Sequence, residues 1–420
     1  MALRKNQNFL STTEKKQFTD AVIALKAGGS SGNKYDELVN IHEQNMYAGH
    51  FGPAFFPWHR EFLTKFEQAL QSIKNDQSIA LPYWNWAVDN PQTPGSRSPF
   101  TADFLGTNGQ QGSNWQVKDG PFNYDLLDGK GNHQWPLDVR SGTERYPYLR
   151  RQFGPSQDPK LSLPTWADVW AALQATPYDV KPWDFTSPSG FRTRAEGDIP
   201  FGMHNLVHMW VGGSMVPMTS PNDPVFWLHH CFMDRLWTDW QVLHQDQAQY
   251  LPDGGDPNDP TKRQKLNDPM PPWNTPNDTV TPANVLSTWD RGYHYDTDGM
   301  LLAGEVLYPG QGIYSASVAV AGKPRYLLLY ETDGVLRLYV AGQQNAYWWS
   351  DNTPNRNNGK ATLESQGNLV IYGPDNKTPV WQSYSWSNTG PCYLVVRPDG
   401  YVSILPPQAP PIWTRPTKKP

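Results

Sequence analysis

The sequence predicts a chain of two classes: a mainly α domain over residues 1–297, then an all-β domain of threefold internal repetition over 298–420. Three observations predict it. Two sets of three histidines stand in the first part, each beside apolar residues at helical spacing. That periodicity stops near residue 297. Beyond it, short alternating segments recur three times, each with a glycine turn and a tryptophan about ten residues on.

Composition bounds the answer. A chain of 420 residues has room for two or three domains and a large core. Its 40 Pro and 34 Gly predict long irregular connections. A net charge of −5 and a pI near 6.1 exclude a nucleic-acid footprint or a basic membrane face. The apolar runs are too short to span a bilayer. The start, MALRKNQNFLSTTEKK, lacks the apolar core of a secretory signal, so we expect a cytoplasmic chain or one exported by a non-classical or partner-assisted route. Two cysteines, Cys231 and Cys392, rule out a disulfide framework.

The elements follow in order. Ser11 to Glu14 reads as a capping box opening a helix through Phe18, Val22 and Leu25, ended by Gly28-Gly29. A helix around Tyr35 to Asn45 carries His42, and His50 follows a short interval later. His59 begins the next helix, with an apolar stripe of Phe62, Phe66 and Ala69-Leu70. Residues 90–165 read as long loops, and Leu163-Pro164-Thr165 starts a helix through Trp166, Val169, Trp170 and Leu173. His204 and His208, four apart, stack on one helical face that Gly212-Gly213 ends. Asp223 caps and Pro224 opens a helix with His230, Phe232, Leu236, Trp240 and Leu243. Three imidazoles from adjacent elements hold one transition metal and leave a coordination position open. Imidazole-only sets suit Zn, Cu, Fe or Ni, and spacing does not choose among them. His133, His244 and His294 have no partner at ligand spacing and read as structural.

The segments FFPWHREFL, LPYWNWAVD, MHNLVH, VGGSM and SPNDPVFWLHHCFMDRLW resemble the copper-site signatures of tyrosinases, within the type-3 copper family that includes catechol oxidases and hemocyanins. The resemblance covers about the first 297 residues. It implies a tyrosinase-like four-helix bundle around a di-copper centre. By it, His42, His50 and His59 bind the first copper (CuA), His204, His208 and His230 bind the second (CuB), and His229 is no ligand. Two copper ions with dioxygen as co-substrate imply phenolic substrates, hydroxylated ortho to the phenol oxygen and oxidised to o-quinones. A catechol or o-aminophenol oxidase with little monophenolase activity is the alternative. Glu196 and Asn205 match residues that hold a water proposed as the base, and Phe226 matches an aromatic over the copper pair. Met209, Met215, Pro217 and Met218 are expected at the mouth, where an apolar lining suits bulky or neutral phenols. No cysteine lies near His50, so no thioether to a CuA histidine is expected. A copper-loading partner is a further expectation.

The repeats YETDGVLRLYVAGQQNAYWWS, LESQGNLVIYGPDNKTPVWQS and VRPDGYVSILPPQAPPIWTR resemble the bulb-type mannose-binding lectins, which form a β-prism. The resemblance places Trp349, Trp381 and Trp413 at the shared core. Every repeat departs from that family's sugar-pocket pattern. The second, with Glu364, Gln366, Asn368 and Tyr372, is the best candidate for carbohydrate.

Overall fold

Ser11 sets the first helix: the Glu14 amide donates to its hydroxyl, and its own amide donates back to the Glu14 carboxylate at 2.8 Å. This reciprocal cap satisfies two donors that a helix start leaves open. The helix, α1 (Thr12–Ala27), ends at Gly28, whose φ of 81° favours glycine. The computed structural model describes residues 2–416 apart from 29–31, 88, 90, 92–97, 143, 198–201, 245–246, 253–263, 289, 297–299, 311, 316–325, 341–342, 352–358, 390–391, 398 and 407–408. Gly29, the 297 boundary and the side chains of Trp166, Trp170 and Leu243 therefore lie outside the described residues. The chain separates into two compact units, Met1–His294 and Tyr295–Pro420.

In the first unit, α2 (Lys34–Gln44) leads through the single turn α3 (Met46–Gly49) to α4 (Phe55–Lys74). After long connections and the short α5 (Gly154–Gln157) come α6 (Trp166–Leu173), α7 (Phe191–Glu196), α8 (Met203–Val211) and α9 (Val225–Leu243). Two boundaries differ from expectation. His59 does not begin α4 but sits one turn inside it, because Phe55 and Phe56 join the buried face. Helix α9 starts at Val225, one residue later than expected, and Asp223 receives the Val225 amide at 3.0 Å from outside the helix.

Helices α4 and α9 pack together, and buried charge fixes their register. Arg60 donates to Asp234 at 2.5 Å, and Arg4 reaches both Glu67 (3.1 Å) and Asp234 (3.3 Å). Arg60 follows His59 directly, and Asp234 lies one turn beyond His230, so this pair sets the height of the two histidines. A second buried pair, Arg151 to Asp223 at 2.7 and 2.8 Å, ties the long connection to the start of α9. Such pairs hold only because each charge keeps its partner; removing one leaves a buried charge at a cost of about 3–5 kcal/mol.

Among the described residues, the second unit forms three four-stranded antiparallel sheets around one core. The first joins Gly312–Tyr314, Tyr326–Tyr330, Leu336–Val340 and Trp348–Trp349. The second joins Val306–Leu307, Lys360–Leu363, Leu369–Tyr372 and Pro379–Gln382. The third joins Met300–Leu302, Tyr393–Val396, Val402–Leu405 and Trp413–Arg415. One stretch, 300–314, thus supplies an edge strand to each of the three sheets. The core expectation needs one correction. Trp348, not Trp349, meets Trp381 and Trp413, with ring centroids 6.4 and 5.8 Å away. Register is the reason: Trp348 pairs with the core residue Leu338, and Trp349 pairs with Arg337 on the outer face. Trp349 is 58% exposed.

Candidate metal centre

Six imidazoles converge from five elements: His42 from α2, His50 at the end of α3, His59 from α4, His204 and His208 from α8, and His230 from α9. Within the first set the ligand atoms lie within 4.8 Å of one another, and so do those of the second set, which includes His229. The sets adjoin, for the His59 and His230 rings stack at 4.2 Å.

Backbone carbonyls fix four of these rings. Nδ1 of His42 faces the Met218 carbonyl at 2.6 Å, His50 that of Met46 at 3.2 Å, His59 that of Phe55 at 2.8 Å and His208 that of Met215 at 2.7 Å. A carbonyl only accepts, so each Nδ1 carries the proton and each Nε2 presents a lone pair. His204 does the same against Oδ1 of Asn205 at 2.9 Å. The Nε2 atoms of His42 and His59 are buried with no hydrogen-bond partner among the described residues. Those of His204 and His208 stand 3.2 and 3.4 Å from Nε2 of His230. The buried, unpartnered lone pairs of His42 and His59 are costly unless a cation takes them up, so the donor set fits transition metal. Burial pushes all six imidazoles below their ordinary pKa, His50 to about 3 and His208 to about 4, which keeps them neutral as ligation requires.

His229 differs from the other three of its set in its hydrogen bonding. Its Nδ1 accepts the Trp86 indole N–H at 3.1 Å, so its proton sits on Nε2. His133 and His244 are held by the carbonyls of Tyr124 and Leu173, at 2.8 and 2.7 Å.

Glu196 ends α7 wholly buried. One carboxylate oxygen takes the Phe51 amide, and the other takes Arg192 at 3.2 Å. Burial outweighs both bonds and pushes its carboxyl up to about 7. Arg192 is itself shared with Asp179, at 2.9 and 3.0 Å. Asn205 lies close by: a Cβ on Gly197 would meet its amide nitrogen at 2.4 Å.

Phe226 is 0% exposed, with its ring 4.1 Å from His230 and 4.9 Å from His42. It wedges between ligand rings and offers no face to solvent. Phe55, which the sequence reading missed, is its counterpart, 4.8 Å from His59 and 4.9 Å from His204. Each phenylalanine stands four residues before a histidine, in FFPWH and FWLHH, and that shared spacing is the signal that pointed to it. Met209, Pro217 and Met218 are half-buried. Met215 does not line an open mouth, because its side chain is buried while its carbonyl holds His208. Val216, the next residue, is 50% exposed.

In the second unit, Glu364 and Asn368 flank the turn that joins Lys360–Leu363 to Leu369–Tyr372, and with Tyr372 they spend their hydrogen bonds locally. Tyr372 donates to Glu364 at 2.7 Å, and Asn368 donates to Gln382 at 2.9 Å. Gln366 is exposed in the neighbouring turn. A cavity of about 530 Å³ opens on the first sheet instead, against Arg337, Tyr339, Asn345 and Trp349.

Two adjoining sets of neutral imidazoles, buried among aromatic rings, could hold a pair of transition-metal ions. The chain belongs to the tyrosinase family: residues 32–243 match the common central domain of tyrosinase. It is 42% identical to the tyrosinase of Streptomyces antibioticus over 306 residues, 71% of this chain and 100% of that one. It is 36% identical to grixazone synthase of Streptomyces griseus, across 70% of this chain and 99% of that protein. A monocot mannose-binding lectin structure from Gastrodia elata aligns with 29% of this chain and 98% of its own, at 28% identity and a TM-score of 0.24. Family membership makes the chain a copper oxidase.

Proposed function

We propose that the chain hydroxylates monophenols ortho to their oxygen and oxidises o-diphenols to o-quinones. The observation that carries this reading is the convergence of two adjoining sets of neutral imidazoles, with the Nε2 atoms of His42 and His59 buried and unpartnered among the described residues. Copper ions held by His42, His50 and His59 and by His204, His208 and His230 would supply dioxygen binding and two-electron redox chemistry. The chain's own residues do the rest. Carbonyls lock the imidazole tautomers and keep each lone pair aimed inward. Phe55 and Phe226 exclude water from between the rings. Glu196, working through a water shared with Asn205, accepts the phenol proton. A phenol of pKa about 10 needs such a base, and a carboxyl raised to about 7 exchanges protons near neutrality. Met209, Val216, Pro217 and Met218 give an apolar rim suited to neutral phenols.

One observation favours a second reading, a catechol or o-aminophenol oxidase: both Glu196 oxygens are already bonded, to Phe51 and Arg192. Oxygen uptake by the copper-loaded full-length chain, with a monophenol and a catechol assayed side by side, separates the two. Turnover of both supports the first, and catechol alone supports the second. A chain holding two coppers that turns over neither would sink both.

For the second unit we infer carbohydrate binding at the first-sheet cavity. An exposed Trp349 face beside Tyr339 and Asn345 combines a stacking surface with hydrogen-bonding groups. Glycan-array binding by the full chain, lost in Trp349→Ala and kept in Glu364→Ala, is the expected result. Binding lost only in Glu364→Ala would move the site to the second sheet.

A further inference from the structure

Five of the six imidazoles stand on helices, where the hydrogen-bonded ladder fixes their backbone. His50 does not. It follows the single turn α3 in extended conformation, at φ −137° and ψ 161°. The next residue, Phe51, is left-handed at φ 64°, which is uncommon for a side chain of its size. An irregular loop leaves its backbone polar groups without ladder partners. Here three remote side chains take them up. Gln264 donates to the carbonyls of Tyr47 (3.0 Å) and Ala48 (3.2 Å) and accepts the Ala54 amide at 2.9 Å. Tyr178 donates its hydroxyl to the Pro53 carbonyl at 2.6 Å. Glu196 takes the Phe51 amide. Together these bonds span the loop on both sides of His50. Gly52 is part of the fit, because a Cβ there would meet Oε1 of Gln264 at 2.7 Å.

The three clamping residues are themselves braced. Tyr250 donates to the Gln264 carbonyl at 2.5 Å. Tyr178 adjoins Asp179, which is paired with Arg192, and Arg192 is paired with Glu196. The first-set loop is thus held from residues 178, 196 and 264, each more than a hundred positions away. No such clamp is needed at His204 and His208, whose spacing the helix itself supplies.

We propose that Gln264 and Tyr178 are positioning residues for His50, acting with Glu196 as a clamp that sets the affinity of the first metal position alone. The proposal rests on the copper-pair reading above. It predicts that the two positions can be uncoupled by residues that touch no metal.

The test is chelator challenge of the copper-loaded full-length chain, with released copper counted against time. In Gln264→Ala, one equivalent should leave about 10–100-fold faster than in the parent, and the other should leave at the parent rate. Gln264→Glu keeps the acceptor for Ala54 and loses the donor to Tyr47 and Ala48, so it should fall between. Tyr178→Phe removes one hydroxyl and guards against a Gln264 variant that fails to fold; it should speed the same equivalent. With His208→Ala added, the remaining copper should still be accelerated by Gln264→Ala; with His42→Ala added, it should not. Unchanged release of both equivalents would overturn the proposal. So would equal acceleration of both with a lowered Tm, the mark of general loosening. A parent chain holding fewer than two coppers would instead sink the copper-pair reading.

Discussion

The two histidine sets present the same donors by different means. In the second set, α8 supplies His204 and His208 at one-turn spacing, and α9 supplies His230. In the first, three separate elements each give one histidine, and one of them is an irregular loop. The second set is therefore mostly local, and its geometry follows wherever the helices form. The first depends on tertiary contacts to be a site at all. What the sets share is the α4–α9 seam, where Arg60 and Asp234 fix the heights of His59 and His230.

The most damaging break is removal of a ligand from one side. His50→Ala and His208→Ala should each lower copper from two equivalents to one and abolish phenol-dependent oxygen uptake, as metal analysis with oxygen electrodes will read. A second break separates proton transfer from the metals. Glu196→Gln keeps an oxygen for the Phe51 amide and so spares the clamp, but it should cut monophenol turnover about 10²–10⁴-fold while copper content holds. In the parent chain, monophenol turnover should rise with pH through about 7, since a base must be ionised and burial has raised this carboxyl. That rising limb should vanish in the variant.

Next comes the shared seam. Asp234→Ala strands Arg60 without its carboxylate and leaves Arg4 with Glu67 alone, and it should cost about 3–5 kcal/mol in denaturant unfolding. Unlike the clamp variants, it should loosen both coppers together. The mildest test is pH. The buried imidazoles titrate below their ordinary value, so the unfolded chain binds protons first as pH falls. Their contribution is complete above about 6.5 and is lost between there and about 3–4. The Tm of the metal-free chain should decline across that window. Glu196 works in the opposite sense, its contribution complete below its ordinary value and lost as pH rises through about 7.

How much of this was legible follows the same division. The Ser11 capping box, the α8 pair and the glycine that ends α8 are written in neighbouring residues, and they were read correctly. The loop clamp was not, because Gln264 and Tyr178 carry no local mark of contact with residues 47–54. Arg60 and Asp234 carry no local mark of their pairing either, yet both are buried. Trp348 and Trp349 are adjacent and chemically identical; only strand pairing decides which turns inward. Phe55 was hidden among many aromatics, although its spacing to His59 repeats that of Phe226 to His230.

The edge strands from 300–314 have a consequence for how the second unit is made. Leu301 pairs with Leu394, and Leu307 pairs with Ala361, so the first strands synthesised wait for partners that leave the ribosome much later. Until residues 393–415 emerge, the third sheet lacks three of its four strands. Closure is then an all-or-none event with a large share of distant pairings, and such folds are slow to form. The repeats cannot be lost or added singly, as blades of an open array can. A nonsense mutation just before Tyr393 would leave Met300–Leu302 without its partner strand, a template for association between chains.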